Sequence, residues 1–342
     1  MENQWLLLFL RAIPCSYACK HCLFAPQKRF KAMAYSEVIK AIQSFSSLLE
    51  DRGVRPSSYY QSIAVYVGDC ALNFDDFPKV VLFLKTHHIE GWCSVAANGF
   101  HKRPHREWKW YLQTLREAGT EILEFSLYGL PKTHDWFAGY PGSYEDIQKV
   151  AELWYEIGGE VLWSIFVHKQ NLKEIAELRK ELQTKYDAEG EVVVWDYLGW
   201  GAYSEALRIE AEDLQALGEM SKRFLGDLKT EGEWIEELKQ EEARPFRLMP
   251  GVIQLVVEKS GDVKMPYTTV VSGLEGEVIG NVFREPVGEV LSRWEKHYAA
   301  WAGSYPSVGE LCRKYGDENN QRLYNKRSVV RKWCAAFESH SA

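Results

Sequence analysis

Apolar and polar residues alternate along the first two hundred positions with two periods. Short apolar runs at Trp5–Ala12, Ser62–Val67, Gly91–Ala97, Glu121–Leu127, Val161–Val167 and Glu191–Tyr197 have the length of strands. Between them lie segments with helical spacing. In Tyr35–Leu49, Val38, Ile39, Ile42, Phe45 and Leu48 share one face. Asp75–His87 opens with acidic residues, which suit a helix N-terminus. Arg106–Ala118 stops at Gly119. Ser143 is placed to cap a helix reaching Ile157, before Gly158-Gly159, and Leu172–Tyr186 is a further helix. Strands alternating with helices at this spacing predict an α/β fold built on a parallel sheet with right-handed crossovers. Six such units make a partial (β/α)6 TIM-like barrel, short of a closed eight-stranded one, although an open sheet in another strand order satisfies the same periodicity. In either case functional groups are expected on the loops after the C-terminal ends of the strands.

Beyond Tyr197 the texture changes. Glu210–Leu228 and Glu233–Glu242 read as charged amphipathic helices, and Arg244-Pro245 and Met249-Pro250-Gly251 break the chain. Ile253–Glu258 and Val263–Pro266 predict a hairpin around Ser260-Gly261-Asp262, and Val287–Tyr298 a short helix. The tail from Tyr305 is basic and aromatic, with Arg322, Tyr324, Lys326, Arg327, Arg331 and Lys332. It reads as a solvated face, or as a grip for an anionic substrate or peptide carboxylate. The expected division is a core barrel at 1–205, a helical connector at 206–244 and a smaller α+β extension at 245–342.

Composition narrows the function. With 46% apolar and 26% charged residues over 342 positions, the chain is ordinary globular protein. Lys and Arg number 41 against 48 Asp and Glu, a net charge of −7, which lacks the electrostatic footprint of a general nucleic-acid binder. No apolar run approaches the ~20 residues of a membrane-spanning helix, and the first run lacks the flanks of a signal peptide. A cytoplasmic location is therefore expected. Seven cysteines are too sparse for a disulfide scaffold, and their number is odd.

Three of the seven fall within eight residues, in Cys15-Ser-Tyr-Ala-Cys19-Lys-His-Cys22. They follow the first strand, at the expected active end of the barrel. Structural zinc usually takes a fourth protein ligand from a second paired motif, and no second C-x-x-C exists here. Four-iron clusters are usually held by four cysteines, so a three-cysteine loop leaves one iron open to an exogenous molecule. Three ordinary buried thiols are the plain alternative.

The spacing C-x-x-x-C-x-x-C after a first strand resembles the radical S-adenosylmethionine family. The resemblance implies a [4Fe-4S] cluster on Cys15, Cys19 and Cys22, with S-adenosyl-L-methionine on the open iron. One electron then cleaves the sulfonium to a 5′-deoxyadenosyl radical. It also implies an electron donor such as flavodoxin or ferredoxin. His21 stands where relatives carry an aromatic residue before the third cysteine. Val67-Gly68-Asp69-Cys70 matches the Gly-Gly-Glu-Pro-like turn after the second strand, which binds the amino group of S-adenosylmethionine, and keeps Gly68 and the acidic Asp69. Asn98-Gly99 matches the Asn-Gly after the third strand, and Ser126 in Phe125-Ser126-Leu127-Tyr128-Gly129 the Ser of Ser-Leu-Asp-Gly after the fourth. Gly199 in Gly199-Trp200-Gly201-Ala202 matches the Gly-rich segment near the adenosine. Where many relatives carry an arginine for the methionyl carboxylate, this chain reads Trp136, Phe137 and Ala138; His168, Lys169 and Gln170 are substitutes, or else a solvated loop.

The extension resembles a SPASM or twitch domain through Ser260–Pro266 and Gly280-Asn281-Val282-Phe283. Pro266 stands where the first cluster cysteine belongs, and only Cys312 and Cys334 follow. The resemblance therefore implies an extension without its own cluster. Cys312 is a candidate hydrogen-atom donor to a substrate radical, or a buried small hydrophobe like Cys334. Because the chain begins almost at the first strand, a small-molecule substrate is expected (a sugar, nucleoside or amino-acid intermediate of natural-product biosynthesis), with ribosomal-peptide maturation as the alternative. A non-catalytic metal or iron–sulfur binding module is the competing reading.

Overall fold

The computed structural model describes residues 4–10, 12, 14–21, 32–50, 60–67, 70–194, 202–245, 252–264 and 278–341. Its first half alternates strand and helix: β1 (Gln4–Leu10), α1 (Tyr35–Glu50), β2 (Tyr60–Tyr66), α2 (Phe77–Thr86), β3 (Ser94–Ala96), α3 (His105–Ala118), β4 (Ile122–Leu127), α4 (Pro131–Ala138), α5 (Ser143–Glu156), β5 (Glu160–Phe166), α6 (Ile175–Tyr186) and β6 (Glu191–Val193). β1 and β2 pair in parallel, and β3, β4, β5 and β6 form a parallel sheet in that order. Between β2 and β3 the ladder is interrupted. An isolated bridge from Cys70 to Ala97 and the bond from Val65 N–H to Glu90 C=O (3.0 Å) span the gap. Mixed α/β structure with parallel strands and outer helices is the architecture expected of a partial barrel.

The two faces of the sheet differ. Leu123, Phe125 and Leu127 on β4 and Trp163 and Ile165 on β5 are buried under the helices, and Trp163 stacks on Tyr186 of α6 at 5.3 Å. The alternating residues Glu124, Ser126, Ser164 and Phe166 are half-buried on the inner face. On α1, Val38, Ala41, Ile42 and Phe45 are fully buried, as the helical spacing requires.

Three features depart from the sequence expectations. First, α4 was not anticipated, although Pro131 at its first turn and Gly139 just past its end are the usual helix punctuation. Second, Ser143 does not cap α5. It is the first residue of that helix, and its Oγ donates to Asp135, which also accepts from the N–H groups of Gly142 and Tyr144. Third, Glu210–Leu228 is no single helix. It holds the short α8 (Leu214–Leu217) and α9 (Glu219–Phe224) on either side of Gly218, after α7 (Ala202–Leu207).

The C-terminal hairpin is not set apart from the first sheet. β8 (Val252–Val257) pairs in parallel with β1 over Trp5 to Leu10, and β9 (Asp262–Lys264) and β10 (Val278–Asn281) continue the sheet antiparallel, giving the order β10-β9-β8-β1-β2. With strands on both edges, β1 is central, which accounts for its nearly continuous apolar run.

A second hydrophobic core lies elsewhere. It joins Trp234, Ile235 and Leu238 of α10 (Glu231–Leu238), Val308, Leu311 and Cys312 of α12 (Val308–Tyr315), and Val329, Val330, Trp333 and Cys334 of α13 (Lys326–Ser341). The short strands β7 (Lys229–Thr230) and β11 (Leu323–Tyr324) pair beside it, and α11 (Val287–Ser304) packs with the main core. The tail is thus partly core: Tyr324 and Trp333 are fully buried and Arg331 is 8% exposed. Glu231, also fully buried, accepts from Trp333 Nε1 (2.7 Å), Asn320 Nδ2 (2.6 Å) and the Asp317 N–H (3.2 Å), and pairs with Lys332. Its partners satisfy a charge that burial alone would make costly.

Candidate active site

The loop leaving β1 is stitched to the segment beyond β3 and to the end of α4. The Ser16 N–H donates to the Gly99 carbonyl beyond β3 (3.0 Å), and Asn73 Nδ2 donates to the same oxygen (3.0 Å). Asn73 Oδ1 in turn accepts from the His101 N–H (2.5 Å), and Ser16 Oγ bonds to His101 Nδ1 (2.6 Å). On the other side, the N–H groups of Ala18 and Lys20 donate to the carbonyls of Ala138 (2.8 Å) and Phe137 (3.0 Å) at the end of α4. Backbone pairing of this kind holds a loop that carries no regular structure of its own.

Cys15 and Cys19 are half-buried in this loop. The Tyr17 N–H points at Cys15 Sγ (3.4 Å), which also lies 3.8 Å from the Gly99 carbonyl. Gly99 has φ +69°, and a Cβ built on it would lie 2.1 Å from Cys15 Sγ. Only glycine leaves room for the sulfur there. Gly139 does the same for Ala18, whose Cβ would be 2.9 Å from an added Cβ. Two half-buried sulfur donors on a loop cradled by glycine are chemically suited to an iron–sulfur cluster. Cys22, the third of the set, lies outside the described residues, as do Gly68, Asp69 and Gly199. Among the described residues, no group of three or more His, Cys, Asp or Glu side chains is arranged to hold a metal ion.

His21 occupies an aromatic nest at the ends of β4 and β5. Its ring is 5.3 Å from Tyr128, 5.3 Å from Phe137 and 5.7 Å from Phe166, nearly parallel to the last two. Burial, with nearby His168, pulls its pKa down to about 4, so the ring is neutral at pH 7. His168 and His134 behind the nest are fully buried and likewise neutral, held down by burial to about 4 and about 3.

No protein-family profile and no curated protein sequence matches the chain. Solved structures do. anSMEcpe, determined with bound AdoMet and a Cp18Cys peptide, matches at 14% identity and TM-score 0.54, over 98% of this chain and 97% of its own. SuiB from Streptococcus suis, determined with S-adenosylmethionine, matches at 13% identity and TM-score 0.60, over 96% of this chain and 77% of its own. SuiB bound to its precursor peptide SuiA matches at 14% identity and TM-score 0.59. These neighbours are radical S-adenosylmethionine enzymes. The chain shares their fold.

Within that fold, the residues singled out by sequence fall in different settings. Asn98 is 7% exposed, and its side-chain amide spans the backbone of Ser126, donating to the carbonyl (3.0 Å) and accepting from the N–H (2.8 Å). It fixes the end of β4 against β3. Ser126 is half-buried on the inner face. Cys312 sits in the second core, 1% exposed, its Sγ donating to the Gly309 carbonyl (3.2 Å), and burial raises its pKa. That setting is packing, as for the buried small hydrophobe that is the alternative to a hydrogen donor. Nor is the loop after β5 a solvated one at its start. His168 is fully buried, whereas Lys169 pairs with Glu210 (2.7 Å).

Sequence reasoning passed over Asn73 and Glu174. Glu174 accepts from the Leu130 N–H (2.8 Å) and Thr133 Oγ (2.6 Å), tying the loop after β5 to the start of α4. Neither residue carries a local signal, since each acts on backbone groups distant in sequence.

Proposed function

We propose that this chain is a radical S-adenosylmethionine enzyme whose single cluster is held by Cys15, Cys19 and Cys22. The observation that carries the reading is the cysteine loop, docked by backbone bonds on the ends of β3 and α4 within this fold and given sulfur room by Gly99. The chemistry such a group supplies when bound is one-electron cleavage of S-adenosylmethionine, which yields an oxidant for a substrate C–H bond. The chain's own part is binding and orientation. Gly68, Asp69 and Ser126 would take the methionyl end, Gly199 would lie near the adenosine, and His21 with its aromatic nest would close one side. The half-buried inner face of β4 and β5 would receive the substrate. A one-electron donor such as flavodoxin or ferredoxin is the expected partner, and the division into barrel (1–205), connector (206–244) and SPASM-like extension without a cluster (245–342) belongs to the same reading.

The substrate is read here as a peptide. The expectation of a small molecule rested on where the chain begins. Yet anSMEcpe, matched over 97% of its own length, was determined with a peptide bound, so this extent of chain does not disfavour one. SuiB, matched over 76% of its length, was determined with its precursor peptide. A sugar, nucleoside or amino acid is the second reading.

The test is anaerobic turnover. The reconstituted chain, S-adenosylmethionine and dithionite should form 5′-deoxyadenosine, and the Cys15→Ala, Cys19→Ala, Cys22→Ala triple variant should form none. Turnover retained by that variant would sink the reading. Deuterium passing into 5′-deoxyadenosine from a labelled peptide pool supports a peptide substrate; its passage only from labelled sugars, nucleosides or free amino acids supports the second reading.

A further inference from the structure

His168 lies two residues beyond β5, and both of its ring nitrogens are engaged. Nε2 is 2.9 Å from the Tyr128 carbonyl, and Nδ1 accepts from the Gln170 N–H (3.2 Å). That pair of partners fixes a neutral tautomer with the proton on Nε2. The backbone of His168 is itself held, because its N–H donates to Asn171 Oδ1 (2.9 Å) while Asn171 Nδ2 donates to the Phe166 carbonyl (2.8 Å). The ring also stacks on Phe137 at 4.7 Å.

The residues His168 holds lead to the cysteine loop. Tyr128 is gripped on both sides of its peptide unit, its N–H by His134 Nδ1 (3.2 Å) and its carbonyl by His168. Its ring packs on Phe137 at 4.5 Å, and both rings touch His21. The carbonyls of Phe137 and Ala138 anchor Lys20 and Ala18, on either side of Cys19.

We infer that His168 is a positioning residue: its Nε2–H fixes the Tyr128 carbonyl, and through Tyr128 and Phe137 it sets where His21 and the cysteine loop lie when S-adenosylmethionine binds. The inference rests on the radical S-adenosylmethionine reading above. Donor and stack are separable. His168→Phe keeps a ring against Phe137 and removes the Nε2–H donor to the Tyr128 carbonyl, whereas His168→Gln keeps an N–H donor and loses the ring. Outer hydrogen bonds of this kind typically tune a site by about 10–100-fold.

The experiment measures S-adenosylmethionine affinity of the reconstituted protein by equilibrium dialysis, beside iron content and 5′-deoxyadenosine kinetics. His168→Phe should weaken binding by about tenfold with kcat at saturation nearly unchanged, and His168→Gln should recover most of the affinity. Folded His168→Phe protein with wild-type affinity, or one reduced in kcat alone, overturns the inference. A second measurement stands if that variant does not fold. In 15N-histidine-labelled wild-type protein, the His168 signal should show protonated Nε2 and shift when S-adenosylmethionine is added, and an unmoved signal overturns the inference. Wild-type protein that binds no S-adenosylmethionine overturns the functional reading itself, and this inference with it.

Discussion

Replacing Gly99 by alanine isolates how the fold makes room for the cysteine loop. Two costs arise. Gly99 has φ +69°, a conformation that costs an alanine roughly 1–2 kcal/mol. The second cost is steric. The new methyl would sit 2.1 Å from Cys15 Sγ, where ordinary contact begins at 3.4 Å, so the sulfur must withdraw by more than an ångström. Metal–ligand distances tolerate only about 0.2 Å, so Cys15 would no longer reach the cluster unless the whole loop moved. That loop is fixed by the bonds of Ser16, Ala18 and Lys20. Gly158 supplies the control: its φ is +78°, and among the described residues nothing lies within 4 Å of an added Cβ. Gly158→Ala should lose about 1–3 °C in Tm through backbone strain and keep its iron. Gly99→Ala should lose at least as much in Tm and more than half of the iron per chain after anaerobic reconstitution. Wild-type iron in Gly99→Ala would refute the argument that the cradle serves Cys15.

Other expectations are as specific. Cys312→Ser should lower stability in urea by about 1–3 kcal/mol, since it puts a hydroxyl in the second core, and leave 5′-deoxyadenosine formation intact; loss of turnover in folded protein would restore Cys312 as a participant. Asn98→Ala removes both side-chain bonds to the backbone of half-buried Ser126, so about 1–3 kcal/mol should be lost, whereas a neutral substitution would contradict the clamp. His134 and His168 stay neutral in the folded chain down to about 3 and about 4, against an ordinary 6.5. The unfolded chain therefore binds more protons below pH 6.5. Their contribution is present above that pH and drains away as pH falls toward 4, by up to about 1.4 kcal/mol per unit for each ring. Urea midpoints at pH 7 and pH 5 check this, and a shallower dependence in His134→Gln is expected.

The barrel was legible because its strands and helices each bury one face, and that period survives in the sequence. The rest was hidden for identifiable reasons. β8 reads as half of a local hairpin with β9, and nothing in Val252–Val257 announces that its other edge pairs with β1. The helices α12 and α13 read in sequence as a solvated basic tail. Their apolar residues are interleaved with Arg and Lys, although Ser307 and Glu310 form a capping box that marks the start of α12. At the site, cysteine spacing and the position of His21 are local signals and could be read directly. The Asn98 clamp, the Glu174 tie and the His168 bond to Tyr128 join residues 28, 44 and 40 positions apart, which no motif encodes. The packing of Cys312 was hidden for the same reason, since its surroundings come from α10 and α13.

The most direct test of the central claim is the iron and acid-labile sulfide content of anaerobically reconstituted protein, read with the electron paramagnetic resonance of the reduced sample before and after S-adenosylmethionine. One cluster on Cys15, Cys19 and Cys22 predicts about four irons per chain and a spectrum that changes on addition, because the molecule binds at the open iron. About eight irons would contradict the reading of a C-terminal region without its own cluster. No stable cluster, or a spectrum indifferent to S-adenosylmethionine, would contradict the radical enzyme itself.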